Sequence, residues 1–229
     1  IPAGPAGTYR LAQLDDTQTI SRRNFRWQVP FSFSLRARVS AANLPGTWGF
    51  GLWNDPFSLS LGLGGEARKA PTLPNAAWFF HAAPPNDLSL RDDLPGSGFL
   101  MAVFSSPLTP AYLFAPAVFA LPLLAWRVTA RAIRRAARRW IHQDTSLLTV
   151  DTSSWHAYRL ECQPGATRFF VDEKSVFETS LAPRGRLGLV IWIDNQYAAF
   201  TPQGALKYGT LATPAIAWLE IAAVQINSG

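Results

Sequence analysis

The clearest pattern in this chain is an alternation of apolar and polar residues over 31–40, which reads FSFSLRARVS. Apolar side chains occupy every odd position from Phe31 to Val39, and serine or arginine occupies the even positions between them. A period of two places each set of side chains on one face of a strand. The segment therefore predicts an antiparallel strand that buries one face and exposes the other.

Similar patterns predict strands along most of the chain. Residues 186–194, RLGLVIWID, are nearly all apolar, as expected for a central strand covered on both faces. Residues 156–179, HAYRLECQPGATRFFVDEKSVFET, predict three short strands joined by a Pro-Gly turn and an acidic turn. Further strands are predicted within 42–53, 74–82, 96–104 and 217–226. Together they predict an all-β sandwich with a single domain over 1–229.

Residues 106–146 break this pattern. An uncharged stretch over 111–126 contains two prolines, and the next stretch, 127–139, reads RVTARAIRRAARR. At 100° per residue the basic stretch predicts an amphipathic helix, inserted into the β domain, with its arginines opposite an apolar stripe. The predicted stripe consists of Trp126, Ala130, Ile133, Ala137 and Trp140.

Composition narrows the classes of function. A chain of 229 residues is long enough for a full core, and the single cysteine, Cys162, allows no internal disulfide. The formal charge of +6 equals the six arginines of 127–139, so the basic character is local and favours an anionic surface as partner. We expect no nucleic-acid binding, because the arginines and the stacking tryptophans are predicted on opposite helix faces.

Two segments together resemble a known family. Residues 35–53, LRARVSAANLPGTWGFGLW, and 154–179, SWHAYRLECQPGATRFFVDEKSVFET, are similar to sequences of family-sixteen glycoside hydrolases (laminarinases and lichenases) and of the wider concanavalin A-like superfamily. The closing WLEIAAVQI also resembles their last strand. The resemblance implies a jelly roll of two curved antiparallel sheets with a ligand groove on the concave face. The matching positions are Trp155, His156, Tyr158, Pro164, Phe170, Val171 and Asp172.

The catalytic pattern of that family does not carry over. Those enzymes use a strand of the form E-x-D-x-E, and a retaining mechanism needs two carboxyl groups about 5 Å apart. The corresponding strand here is PNAAWFFHA (74–82) or GSGFLMAVF (96–104), and neither contains Asp or Glu. We therefore expect a non-hydrolytic protein.

An aromatic groove is the first functional hypothesis. In WNDP (53–56) and WIDNQY (192–197), tryptophan stands close to Asp and Asn, a combination that can stack on a ring and bind hydroxyls. The ligand would be a glycan, a glycolipid or another small amphipathic molecule. A role in the core or in turns is the alternative for each residue. The predicted binding residues are Trp48, Trp53, Asn54, Trp78, Phe80, Trp192, Asn195 and Tyr197.

An enzyme on the same fold is the second hypothesis. His81 stands on a predicted groove strand and is able to exchange a proton near neutral pH. With Asp55 or Asp194 it would perform acid–base chemistry on a small hydrophobic substrate. A structural histidine is the alternative.

The insertion carries the third hypothesis. The stretch over 111–126 is too short and too rich in proline to span a bilayer. It would be an interfacial anchor of a peripheral membrane module acting through 111–141, an oligomer contact, or a lid over the groove, and its position favours the lid. The expected contacts to membrane or anion are Trp126, Arg127, Arg131, Arg134, Arg135, Arg138, Arg139 and Trp140.

Metal and cofactor signals are weak. The three histidines lack metal-ligand spacing, and we expect neither a metal nor a cofactor. Asp87, Asp92 and Asp93 share a loop that leaves a structural calcium open, with a solvated acidic loop as the alternative. A cytoplasmic or membrane-peripheral location is favoured, while export and the oligomeric state stay open.

Overall fold

The computed structural model describes residues 1–18, 20–56, 69, 72–108 and 126–229. This part of the chain forms strands, one α-helix and a short 3-10 helix at Arg22–Asn24. The helix α1 spans Arg127–Trp140. The strands are β1 Leu11–Asp15, β2 Phe31–Val39, β3 Thr47–Trp53, β4 Ala76–Ala82, β5 Gly98–Ser105, β6 His142–Leu147, β7 His156–Gln163, β8 Ala166–Val171, β9 Lys174–Thr179, β10 Gly188–Asp194, β11 Gln196–Phe200, β12 Leu206–Thr210 and β13 Leu219–Ser228.

Two antiparallel sheets pack face to face, so the predicted all-β sandwich is confirmed. One sheet has six strands in the order β1-β10-β3-β4-β5-β6, and the other has five in the order β13-β2-β7-β8-β9. The strands β11 and β12 form a separate two-stranded sheet. Four of the nine neighbouring pairs in the two large sheets join strands that are not consecutive in the sequence, namely β1-β10, β10-β3, β13-β2 and β2-β7, as expected of the Greek-key-like connections of a jelly roll.

The main core lies between the two large sheets. The odd-numbered side chains of β2 point into it, as the period-two pattern predicts. They meet a cluster of rings in which Phe50 and Phe79 of the six-stranded sheet contact Tyr158 of β7 at centroid distances of 5.0 and 5.2 Å. These rings fix the faces of both sheets, because shifting a strand by one residue would turn its apolar side chains to water.

The strand pattern along the sequence missed four elements. The strands β1, β11 and β12 are short and carry no strong alternation. The strand β6 lies inside the predicted helical segment 106–146, so the helical part ends at Trp140 and the prediction extended it too far. Most of the predicted apolar stretch, residues 109–125, lies outside the described residues. In the described part, no helix is long and apolar enough to span a membrane.

The buried side of α1 is not the whole of the predicted apolar stripe. Ala130 of that stripe is buried together with Arg134, whereas Trp126 and Trp140, also predicted on the stripe, have 64% and 57% of their surface exposed. Arg134 tolerates burial because its guanidinium donates to the carbonyl oxygens of Ser89 and Phe200, at 2.8 and 2.5 Å, and bonds Asp92 at 2.8 Å. These partners offset part of the cost of removing the charge from water, although Nε of Arg134 is buried without a partner among the described residues.

Candidate ligand-binding face of the six-stranded sheet

The outer face of the six-stranded sheet is aromatic. Residues paired across antiparallel strands share a face, and the register aligns Trp192, Gly49 and Phe80 in one row. The next row contains Val190, Gly51 and Trp78. These side chains form a second cluster of buried apolar residues, separate from the core between the sheets. We define the aromatic face as Trp53, Trp78, Phe80, Phe104 and Trp192.

Glycines in β3 make room for the indole rings. A Cβ atom at Gly49 would lie 2.8 Å from Cη2 of Trp192, and one at Gly51 would lie 2.5 Å from Cβ of Trp78. Both distances are well below van der Waals contact, so larger residues would displace the neighbouring side chains. The spacing T-W-G-F-G-L-W thus leaves space on the outer face and packs Trp48, Phe50 and Leu52 into the inner core.

Trp78 lies at the centre of the aromatic face. Its ring is 5.8 Å from that of Trp53, 5.5 Å from that of Trp192 and 5.6 Å from that of Phe80. The Nε1 atoms of Trp53 and Trp78 are buried and have no hydrogen-bond partner among the described residues. Nε1 of Trp192, in contrast, donates to Oγ1 of Thr47 at 2.9 Å. Two of the three indole donors on this face therefore lack an acceptor in the part of the chain that the structure describes.

No carboxylate stands at the centre of this face. The outer positions of β4 are Ala76, Trp78, Phe80 and Ala82, and those of β5 include Leu100, Ala102 and Phe104. On this face the described residues of β4 and β5, the strands that correspond to the predicted segments 74–82 and 96–104, are apolar and include no carboxylate.

A buried acid marks one end of the aromatic face. Oδ1 of Asp194 accepts hydrogen bonds from the hydroxyl and the amide of Thr47 at 2.9 and 3.2 Å and from the amide of Gln196 at 3.1 Å. Oδ2 accepts one from the Tyr9 hydroxyl at 3.4 Å. Burial outweighs these bonds and raises the pKa of Asp194 to about 6. Because Trp192 also donates to Thr47, the indole and the acid belong to one network.

The predicted acid–base pair is not assembled. His81 faces the inner core, where its ring stacks on Trp48 at 5.6 Å, and burial lowers its pKa to about 4. Its Nδ1 has no partner among the described residues. Asp194 lies on the opposite face of the sheet, and Asp55 forms an ion pair with Lys69 at 2.9 Å. No hydrogen bond joins His81 to either acid.

Four predicted binding residues lie away from the aromatic face. Trp48 is packed in the core between the sheets, because the alternation of β3 turns it inward. The amide of Asn54 bonds the backbone of Leu73 and Asn75, and Asn195 is fully buried with its amide bonded to backbone. Both amides bind backbone groups of segments that are at least 16 residues away in the sequence.

Tyr197 belongs to β11, and its ring packs over Gly209 of β12. Of the eight predicted residues, the structure brings together Trp53, Trp78, Phe80 and Trp192. Sequence analysis missed Thr47, Tyr9 and Phe104, which are nearby only through the register of distant strands.

The predicted acidic loop forms ion pairs with the helix α1. Asp92 bonds both Arg134 and Arg138, at 2.8 and 2.9 Å, and Asp93 pairs with Arg91. Among the described residues, no three His, Cys, Asp or Glu side chains form a cluster that could hold a metal ion.

An open cleft of about 630 Å³ lies beside this loop, at the sandwich edge formed by β6 and the end of β9. Its charged groups include the ion-paired Arg91, Asp93, Asp92 and Arg138. These four groups already have partners, and the lining includes none of the five residues of the aromatic face.

Comparison with known proteins concerns the fold alone. No family model and no curated protein matches this sequence. A glycosyl hydrolase family protein from Mycobacterium fortuitum is similar over 93% of this chain and 67% of its own, at 15% identity and a TM-score of 0.45. A legume lectin-like domain from Entamoeba histolytica covers 100% of this chain and 83% of its own, at 9% identity and a TM-score of 0.45.

A β-glucanase from Bacillus licheniformis is similar over 80% of this chain, at 12% identity and a TM-score of 0.39, and this chain spans 58% of its length. The likenesses are too distant to carry an argument about function.

Proposed function

We propose that this protein is a non-hydrolytic ligand-binding sandwich whose ligand, a glycan, glycolipid or other amphipathic molecule, binds at the aromatic face. One observation carries the proposal: the indole N–H groups of Trp53 and Trp78 are buried and lack an acceptor among the described residues. A buried indole N–H normally finds an acceptor. A hydroxyl or carbonyl oxygen of a ligand would supply it.

The surroundings favour a ligand with both apolar and polar parts. Trp53 and Trp192 keep an intermediate exposure, so their rings can be reached from solvent. Gln13 of the edge strand β1 pairs in register with Trp192, and its exposed amide donates to Asp15. Flat indoles can stack on the apolar face of a sugar or on hydrocarbon, and adjacent amide and carboxylate groups can bind hydroxyls.

The test separates the indole donor from the ring. A glycan array would identify the best-binding oligosaccharide, and calorimetry would measure its Kd. Trp53→Phe removes an unpaired donor and keeps an aromatic ring, so we expect affinity to fall by about two- to tenfold, the value of one hydrogen bond. Trp192→Phe is the matched control, since its donor already binds Thr47.

An equal loss in both variants would remove the role assigned to the unpaired donor. If no glycan binds, mass spectrometry of small molecules extracted from the purified protein tests the amphipathic alternative. Absence of any ligand by both methods would contradict the proposal.

The structure bears differently on the two other hypotheses, acid–base catalysis and membrane binding. Acid–base catalysis lacks a hydrogen-bonded pair at His81, and the histidine faces the core. The peripheral-membrane hypothesis concerns residues 111–141, of which the structure describes 126–141. It involves the exposed side of α1, a surface separate from the aromatic face.

A further inference from the structure

The exposed side of α1 carries two rows of residues. Each row repeats every four positions, and one follows the other by a single residue. Four residues advance a helix by slightly more than one turn, so each row runs along the axis for about 18 Å. All eight residues are exposed. The arginine row is Arg127, Arg131, Arg135 and Arg139, and the apolar row is Val128, Ala132, Ala136 and Trp140.

The six arginines of the helix divide into two kinds. Arg134 and Arg138 both bind Asp92, and Arg134 also bonds two backbone carbonyl groups. None of the four arginines in the arginine row forms an ion pair with a described residue. Two arginines therefore bind the helix to the sandwich, and four are exposed to solvent on its other side.

The apolar row is unusual for a water-facing surface. Val128 has 71% of its surface exposed and Trp140 has 57%. Trp126, immediately before the helix, adds a second tryptophan with 64% exposed. Large apolar side chains grouped on an exposed helix mark a contact surface more often than isolated ones do.

We propose that the two rows bind the surface of a bilayer that contains anionic phospholipids. The arginine row meets the phosphates, and the apolar row with Trp140 enters the boundary between headgroups and acyl chains. Basic helices with tryptophan bind membranes in this way, lying in the plane of the interface. A nucleic acid would match the arginine row but would leave Val128 exposed to water. This inference is independent of the ligand proposed for the aromatic face.

Vesicle co-sedimentation tests the proposal on the whole chain. The probes are vesicles of phosphatidylcholine alone and vesicles containing 30% phosphatidylglycerol. We expect binding to the anionic vesicles that weakens as salt is raised. Replacing the four residues of the arginine row by glutamine should weaken that binding by roughly several hundredfold, since each basic residue near an anionic surface contributes about fivefold.

A control variant removes the same charge elsewhere. Arg23, Arg26, Lys174 and Arg184 are exposed and lie outside α1, and their replacement by glutamine should leave most of the binding intact. Trp140→Ala keeps the arginine row and should weaken binding about tenfold, while Trp218→Ala, exposed on the other sheet, should not. Circular dichroism checks that each variant is folded.

Three results would overturn the proposal. These are no binding of the unmodified protein to anionic vesicles, an equal loss in the control variant, and retention of binding by the variant without the arginine row. Binding to duplex DNA or heparin with no binding to vesicles would assign the rows to another polyanion and would also reject it.

Discussion

The outer faces of the two sheets differ in their residue types and in how far they are buried. The outer face of the five-stranded sheet is charged, with Arg38 bonded to Glu220 at 2.7 Å and Arg168 bonded to Glu178 at 3.0 Å. Cation–π contacts also occur on this face: the Arg159 guanidinium lies 3.8 Å from the centroid of the Phe170 ring. The outer face of the six-stranded sheet is aromatic and is largely buried.

Because of this difference, the aromatic face requires other parts of the chain to pack over it. A face of paired charges is stable in water on its own, whereas a face of indole rings is stable only under other groups. The loop around Leu88 and Leu90, together with Ala137 of α1, packs on that face. Within the described residues this cover buries the Nε1 atoms of Trp53 and Trp78 but provides no acceptor for either of them.

The largest expected effect tests whether the aromatic face behaves as a core. Trp78→Ala should lower the free energy of unfolding by about 3–5 kcal/mol, because it leaves a cavity among four neighbouring rings. Urea denaturation measures this loss. Phe170→Ala on the outer face of the other sheet is the comparison, and it should cost about 1 kcal/mol, as expected for a partly exposed ring.

Equal losses at the two positions would mean that the aromatic face is no better packed than a surface.

Trp78→Phe separates the contribution of ring packing from that of hydrogen bonding. Its indole donor has no partner among the described residues, so this change removes ring area without removing a hydrogen bond.

The second expected effect compares the two faces of the six-stranded sheet by the pH dependence of the free energy of unfolding. Asp194, on the outer face, has its pKa raised to about 6, so its contribution to stability is present at low pH and is lost as pH rises through 6. His81, on the inner face, has its pKa lowered to about 4, so its contribution is present above pH 6.5 and is lost as pH falls towards 4. The two contributions oppose each other between pH 4 and 6.5.

Single variants separate the two contributions. Relative to the unmodified protein, Asp194→Asn should gain stability as pH rises from about 4 to 7, and His81→Gln should gain it as pH falls over the same range. Each change should approach 3 kcal/mol, since one pKa unit corresponds to about 1.4 kcal/mol. Urea midpoints at several pH values measure it, and slopes of the same sign in both variants would contradict the assignment.

The smallest effect tests the charged face. A double-mutant cycle on Arg168 and Glu178 should give a coupling below about 1 kcal/mol, because both side chains are about half exposed and water screens the pair. The coupling should weaken further in 1 M salt. A coupling above about 2 kcal/mol would mean that this face is stabilised by specific pairing rather than by simple solvation.

Local patterning predicted the elements that carry strong signals. The alternation in β2 and the nearly continuous apolar stretch of β10 yielded correct strands, because burial imposes a period of two or complete apolarity on the residues themselves. It also predicted that Trp78 and Phe80 share a face. The helix α1 was predicted, but the burial of Arg134 was not, since periodicity places Arg134 with the polar residues and gives no sign of its partner Asp92.

The amino-acid sequence by itself determined the fold class, the existence of the basic helix and the absence of acidic residues from the strand that would carry a glycosidase pair. It determined these because they depend on local periodicity and on residue type. Only the tertiary structure decided which tryptophans meet, that Trp48 and His81 face inward, and which arginines stay free. Those outcomes depend on the register between strands that are distant in the chain, and on partners such as Thr47 and Asp92 that no local pattern relates to them.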